Sequence, residues 1–279
     1  MKQICLGISL GLGILLAGCS IKSDLMTHLS DTIVNNNDLK MVESGAPAYL
    51  LMVDSLISQD PDSEEMLATA SRLYSAYADV FVSDPDRSKK MADKALDYAQ
   101  RSMCLTLDEA CNLKKMSYDG FKAVLTQVEV DDLPALYTLG TSWSGWIMAH
   151  RDDFNALADM ARIEDIMNRV VELDETYEDG SAYLYLGALS TLLPPALGGK
   201  PEQGRAYFEK ALVLSQGKNF MVKVMYAQLY AKIVFDRDLH DRLLREVVQA
   251  DPQVPGYVLV NTYAQERAQK MLDAADDYF

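Results

Sequence analysis

The sequence predicts an all-α protein. Apolar residues recur at helical spacing along almost the whole chain, and no two segments show the alternation and short glycine turn of a β-hairpin. Asp-Pro pairs separate the apolar stretches at Asp60-Pro61, Asp84-Pro85 and Asp251-Pro252. Aspartate caps the helix that follows, and proline fits the first helical turn, where its missing N–H costs nothing.

A helix is predicted between successive breaks of this kind. Pro134 precedes a short helix that carries both tryptophans, and Pro194-Pro195 with Gly198-Gly199 separate two later helices. These breaks place the predicted helices, in chain order, at 45–58, 64–82, 88–103, 107–128, 135–148, 152–173, 181–193, 201–215, 219–235, 238–250 and 254–275.

The breaks recur near the period of tetratricopeptide repeats, which are stacked helix–turn–helix units. In one pair, Gly187 and Gly204 are small enough for two helices to approach closely, and Phe208 fills the space between pairs. The first helix carries two apolar stripes, so it contacts two neighbours, or a neighbour and a cavity. The stripes are Leu50, Val53 and Ile57, and Tyr49, Met52 and Leu56. We therefore predict repeats curled into a closed α-solenoid, with a generic helical bundle as the alternative.

The N-terminus predicts a lipoprotein signal peptide. Lys2 is followed by an apolar run that is too short for a membrane span, and the run ends in Leu16-Ala17-Gly18-Cys19. This pattern is typical of bacterial lipoproteins, in which cleavage before the cysteine exposes it for acylation and permanent anchoring. Ser20 in place of aspartate weakly favours the outer membrane. We predict a signal peptide at 1–18, a lipidated tether at 19–44 and one domain at 45–279.

Composition excludes several classes of function. The formal net charge is −15, with 26 Lys and Arg against 41 Asp and Glu, so the chain lacks the basic face that binds nucleic acid. The mature chain has no motif of a serine hydrolase, a zinc protease or a phosphate loop. With 3 His and 4 Cys, a metal centre is disfavoured. We predict no catalytic residue, no metal and no cofactor.

Cys104 and Cys111 are the other two cysteines of the mature chain. An oxidising compartment allows a disulfide. On one straight helix their Cα atoms would be about 10 Å apart, which is too far for the bond. A break between them would bring them together, so a disulfide and two free buried thiols both stay open.

Aromatic residues concentrate in one segment. Tyr137, Trp143 and Trp146 lie on one short predicted helix, and Tyr77 lies on an earlier one. Packing in the core explains such residues, and so does an aromatic pocket or tunnel for a ligand. We take Trp143, Trp146, Tyr137 and Tyr77 as candidate ligand-binding residues.

Taken together, several motifs resemble the T-component lipoproteins of TRAP transporters. They are the Cys19 motif, Gly45-Ala46-Pro47-Ala48-Tyr49-Leu50-Leu51, Tyr74-Ser75-Ala76-Tyr77-Ala78, Trp143 with Trp146, Leu186-Gly187, Leu193-Pro194, Gly198-Gly199, Gly217-Lys218-Asn219 and Leu243-Leu244-Arg245-Glu246-Val247. The resemblance implies an all-α, periplasmic, membrane-tethered protein that pairs with the transporter's substrate-binding protein. It also implies a homotrimer with a tunnel through each protomer for a hydrophobic or organic-acid ligand.

Two functions follow as expectations. The first is an accessory lipoprotein of solute uptake that docks a substrate-binding protein and offers an aromatic-lined tunnel. The second is a cell-envelope scaffold that binds protein partners in a groove and has no small-molecule cavity.

Overall fold

The structure is a computed structural model that describes residues 28–279, and within that range it contains no strand. The predicted signal peptide and Cys19 lie outside the described residues. Residues 28–34 are helical. The helices that follow are α1 Leu39–Gln59, α2 Glu64–Phe81, α3 Pro85–Thr106, α4 Tyr118–Leu125, α5 Leu133–Ala149, α6 Phe154–Ala158, α7 Met160–Leu173, α8 Ser181–Thr191, α9 Pro201–Leu214, α10 Phe220–Met225, α11 Arg237–Gln249 and α12 Val258–Asp273.

Helices adjacent in the chain pack on one another. α2 packs on α3, α8 on α9, and α11 on α12, while α3 also packs on α5 and α7 on α8. The predicted all-α fold is confirmed, and closure of the solenoid stays a prediction.

The close approach of α8 and α9 depends on two glycines. A Cβ at Gly204 would lie 2.4 Å from Thr191 Cγ2, and one at Gly187 would lie 3.0 Å from the Phe208 ring. Phe208 is fully buried. The predicted role of these three residues in helix packing is therefore confirmed.

Three apolar clusters follow one another along the chain. The first surrounds Val53 and Leu67, the second surrounds Trp143, and the third surrounds Phe208 and Leu244. Of the two stripes predicted on the first helix, one is fully buried. In the other, Tyr49 is buried, Leu56 is half-buried and Met52 is exposed.

Two predicted helices are divided. The helix predicted over 107–128 is wrong, because the chain forms 3₁₀ turns at Asp108–Ala110 and Leu113–Lys115 before α4. Asn112 takes the left-handed conformation, with φ 69°, which ends any regular helix. Ser117 then caps α4 by accepting a hydrogen bond from the Gly120 N–H at 3.2 Å. The helix predicted over 152–173 divides at Asp159, whose carboxylate accepts from the Trp143 side chain.

The first helix begins before the predicted Gly45. Asp38 caps α1 by accepting from the Met41 N–H at 2.9 Å, and the helix runs on through Pro47. Because proline has no N–H, the carbonyl of Glu43, four residues earlier, loses its helical donor. The Tyr77 hydroxyl of α2 donates to this carbonyl at 3.1 Å. One side chain thus satisfies the acceptor that Pro47 leaves open.

The two ends of the helical series touch. The Gly256 N–H, just before α12, donates to Asn35 Oδ1 at 2.7 Å, and α1 contacts α12. Among the described residues, no helix combines the length and hydropathy needed to cross a bilayer.

We expect Tyr77→Phe to lower the free energy of unfolding by about 1 kcal/mol, because the Glu43 carbonyl loses its donor in a partly buried position. In a Pro47→Ala background the loss should be smaller, since a backbone N–H at position 47 can then donate to the same carbonyl. Urea unfolding of the four proteins measures both values. Tyr207→Phe, which removes a solvent-exposed hydrogen bond to Gln203, is the control. Equal losses in the two backgrounds would contradict the assignment.

Candidate functional site

Trp143, one of the predicted ligand residues, lies at the centre of the second apolar cluster. Its side chain is 0% exposed and meets the Phe121 ring edge-on at 6.2 Å. The indole N–H donates to Asp159 Oδ2 at 3.1 Å. The whole side chain is therefore engaged in packing, and its one polar group already has a partner.

Trp146 lies on another side of α5 and is half-buried. Its indole N–H donates to Asp93 Oδ1 at 2.7 Å, and its ring stacks on His150 at 4.5 Å. Lys114 Nζ lies 3.0 Å from the ring centroid, a cation–π contact, and burial lowers the pKa of Lys114. Trp146 thus joins α5 to α3 and to the turn after α3.

Tyr77 belongs to the first apolar cluster, where its hydroxyl is bound to the Glu43 carbonyl. Tyr137 is in a different setting, since it is half-buried and meets Tyr177 at 5.5 Å and Tyr185 at 6.3 Å between ring centroids. The structure therefore does not bring the four predicted residues onto one surface.

Tyr137 instead belongs to a group of side chains that are open to water yet surrounded by protein. Tyr185 is half-buried by surface area, but desolvation raises its pKa strongly, and the negative charge of Asp79 raises it further. Desolvation, together with nearby Tyr185 and Glu178, likewise raises the pKa of Tyr137. Both rings are therefore largely, but not fully, withdrawn from water.

Asp79 of α2 likewise combines accessible surface with a desolvated carboxylate. By surface area Asp79 is an exposed residue, yet desolvation by the protein around it raises its pKa to about 6, although the positive charge of Arg267 partly offsets this effect. Helix α5 passes close by, since a Cβ at Gly145 would lie 3.9 Å from Asp79 Oδ1. No described residue makes a hydrogen bond or a close ion pair with the Asp79 carboxylate. A carboxylate that has a raised pKa and no partner in the protein is a candidate member of a functional site.

Arg267 of α12 supplies the positive charge. Its side chain is half-buried and donates through Nη2 to Gln228 Oε1. Gln228 lies in a π turn, Tyr226–Ala231, that continues α10. Four helices and the π turn thus contribute to one group, which we call the interior site: Asp79 from α2, Tyr137 from α5, Tyr185 from α8, Gln228 from the π turn and Arg267 from α12.

A turn of unusual conformation precedes α8 and positions Tyr177 beside Tyr137. Glu178 and Asp179 both have positive φ, at 50° and 54°. The Tyr257 hydroxyl donates to Asp179 Oδ2 at 2.7 Å, and Lys218 Nζ lies 3.4 Å from Asp179 Oδ1. The turn is therefore tied to the segment that leads into α12, and contacts of this kind are what hold a strained backbone in place.

Cys104 and Cys111 are joined as a disulfide in the structure, with Cα atoms 4.4 Å apart. Cys104 lies in the last turns of α3, and the 3₁₀ turn Asp108–Ala110 carries the chain back to Cys111. The bond lies next to Lys114, so it fixes the turn that contacts Trp146.

An all-α fold of packed helix pairs is typical of proteins that bind partners or ligands. Comparison with known proteins is more specific. The family model of the TRAP transporter T-component matches residues 35–279, and the chain belongs to this family. It is therefore an accessory component of a TRAP transporter system.

A full-length relative occurs in Treponema pallidum (strain Nichols). That protein, described as uncharacterized, is 23% identical to this chain over an alignment 306 positions long. The alignment covers 95% of this chain and 94% of the relative.

We expect the disulfide between Cys104 and Cys111 to form in the native protein. Iodoacetamide should then alkylate the peptide that contains both cysteines only after reduction, as read by mass spectrometry. Replacing both with serine should lower the free energy of unfolding by about 2.5 kcal/mol, because a short closed loop in the unfolded chain is released. The reduced parent protein is the matched control. Alkylation without reductant would contradict the bond.

Proposed function

We propose that this protein is a lipid-anchored, periplasmic accessory component of a TRAP-type solute uptake system. It docks the transporter's substrate-binding protein and offers an interior passage to a small apolar or organic-acid ligand, without a catalytic step. Membership of the T-component family supports the transport role. The motif Leu16-Ala17-Gly18-Cys19 supports the lipid anchor, and Ser20 weakly favours the outer membrane.

The interior site carries the ligand part of the proposal. Asp79, Tyr137 and Tyr185 are water-accessible yet strongly desolvated, which is the combination expected of side chains lining a narrow passage. The contact between the chain segments around Asn35 and Gly256 supports closure of the solenoid around this space.

Of the four aromatic residues predicted from the sequence, Tyr137 is the one we assign to the passage. Trp143 and Tyr77 are engaged in the apolar clusters, and Trp146 supports the outer contact between α5 and α3. The homotrimer rests on the family resemblance. Exposed apolar side chains such as Leu51, Phe154 and Val213 offer surface for contacts between protein chains.

The docking role is tested by affinity capture from a cell-envelope extract with immobilised protein starting at Ser20. We expect a periplasmic substrate-binding protein to be retained and to elute as a defined complex. Resin without the protein is the control. Retention of envelope proteins alone, with no substrate-binding protein, would contradict the transport role and favour a scaffold.

The anchor is tested separately with Cys19→Ser. We expect this variant to move from the membrane fraction to the soluble periplasmic fraction, because the acylated thiol is the attachment point. Cys104→Ser, which removes a cysteine far from the N-terminus, should stay in the membrane fraction. Immunoblots of the two fractions measure the change. A Cys19→Ser protein that remains in the membrane fraction would contradict lipid anchoring.

A further inference from the structure

The π turn beside the interior site opens onto a cavity. This cavity is a shallow, wide-open depression of about 400 Å³, and Phe235 in its lining is 77% exposed. Its apolar lining is Pro194, Leu229, Ile233 and Phe235, and its polar lining is Thr191, Gln228 and Lys232. It therefore offers an apolar surface to a ligand, with the amide of Gln228 beside it.

The π turn is what gives Gln228 this position. Tyr226, Ala227, Tyr230 and Ala231 of the turn are buried, whereas Gln228 is partly exposed. The wider hydrogen-bond ring of a π turn inserts an extra residue into the helix, and such insertions are frequent at functional sites. The irregular turn is less stable than a regular helix, and a contact between the Gln228 side chain and a ligand would offset that loss of stability.

Gln228 connects the cavity to a cation. Its Oε1 accepts from Arg267 Nη2, so the guanidinium lies next to the polar lining of the cavity. No carboxylate among residues 28–279 lies within ion-pair distance of Arg267. A half-buried arginine that is held by one neutral amide keeps donors free for a second partner.

We propose that Arg267, held by Gln228, binds the carboxylate of the ligand, and that the ligand is a monocarboxylate whose short apolar body occupies the adjoining cavity. Asp79 competes with that carboxylate for the guanidinium. This inference rests on the proposed function, since it selects the organic acid among the ligands named there and assigns the residues that recognise it.

Charge in the interior site makes the recognition depend on pH. The groups acting on Asp79 are Arg267 from α12 and Tyr185 from α8. Lys232, which also borders the cavity, keeps its Nζ at the Tyr278 ring, 3.4 Å from the centroid. Burial raises the pKa of Asp79 to about 6, so this residue is ionised at pH 7.5 and mostly protonated at pH 5.5. Protonation removes the competing negative charge and leaves the guanidinium to the ligand.

Calorimetric titration of the full chain with hexanoate and with hexan-1-ol tests the inference. Hexan-1-ol has a similar apolar body but no charge, so it reports on the cavity alone. Arg267→Met should weaken hexanoate binding at least about tenfold and leave hexan-1-ol binding unchanged. Arg151→Met, which removes an exposed arginine in the turn after α5, is the matched control and should change neither.

Asp79→Asn is expected to strengthen hexanoate binding. A loss of folding would weaken binding, so the two effects can be told apart. This variant should bind hexanoate several-fold more tightly than the parent at pH 7.5, and its affinity should vary little between pH 7.5 and 5.5. The parent should bind more tightly as the pH falls over that range. Circular dichroism checks that the variants are folded.

The outcomes separate the two levels of the argument. If hexan-1-ol binds but Arg267→Met leaves hexanoate binding unchanged, the carboxylate site is wrong and the interior passage stands. If neither compound binds, both the interior passage and the carboxylate site are wrong. Equal hexanoate affinity for the parent and Asp79→Asn at both pH values would remove Asp79 from the mechanism.

Discussion

The burial of Trp143 fixes the orientation of α5, and the interior site depends on that orientation. With the indole in the second apolar cluster and its N–H on Asp159, the helix cannot rotate about its axis. Successive residues turn by about 100°, so Tyr137 and Gly145 lie on the side of α5 away from Trp143. This geometry leaves Tyr137 facing Tyr177 and Tyr185 and places Gly145 against Asp79.

Glycine at position 145 matters for the same reason. A larger side chain there would project toward the Asp79 carboxylate and narrow the space around it. The segment Gly140 to Gly145 therefore serves two needs at once. Gly140 lets α5 approach α7, where a Cβ would lie 2.7 Å from Ile166, and Gly145 keeps the opposite side open. One short helix thus has a tightly packed side and a side that leaves room around the Asp79 carboxylate.

The helices, their order and the packing role of Gly187, Gly204 and Phe208 were predictable because they depend on local spacing and on caps. The division of the helix predicted over 107–128 was harder to predict, because nothing in the sequence shows that Asn112 takes the left-handed conformation. The aromatic residues were the weakest guide. The sequence does not distinguish a tryptophan that is buried in the core, as Trp143 is, from one that contacts a lysine, as Trp146 does.

The charged members of the interior site could not be found from one sequence. Asp79 and Arg267 lie near opposite ends of the chain, and each is one acid or base among many on helices with polar faces. Only the packing of four helices and the π turn shows that Asp79 and Arg267 lie close enough to interact. Asp79, between Ala78 and Val80 on a largely apolar helix, was the one available hint, because a lone carboxylate there has no obvious partner.

The hydrogen bond from Gly256 to Asn35 has a consequence for how the molecule moves. It joins residues 221 apart in the chain through one exposed, uncharged contact, and such a bond contributes only about 1 kcal/mol. The helix pairs beside it are held by whole apolar faces. Loss of this contact therefore needs less energy than the separation of a packed helix pair, so we expect local opening to begin there.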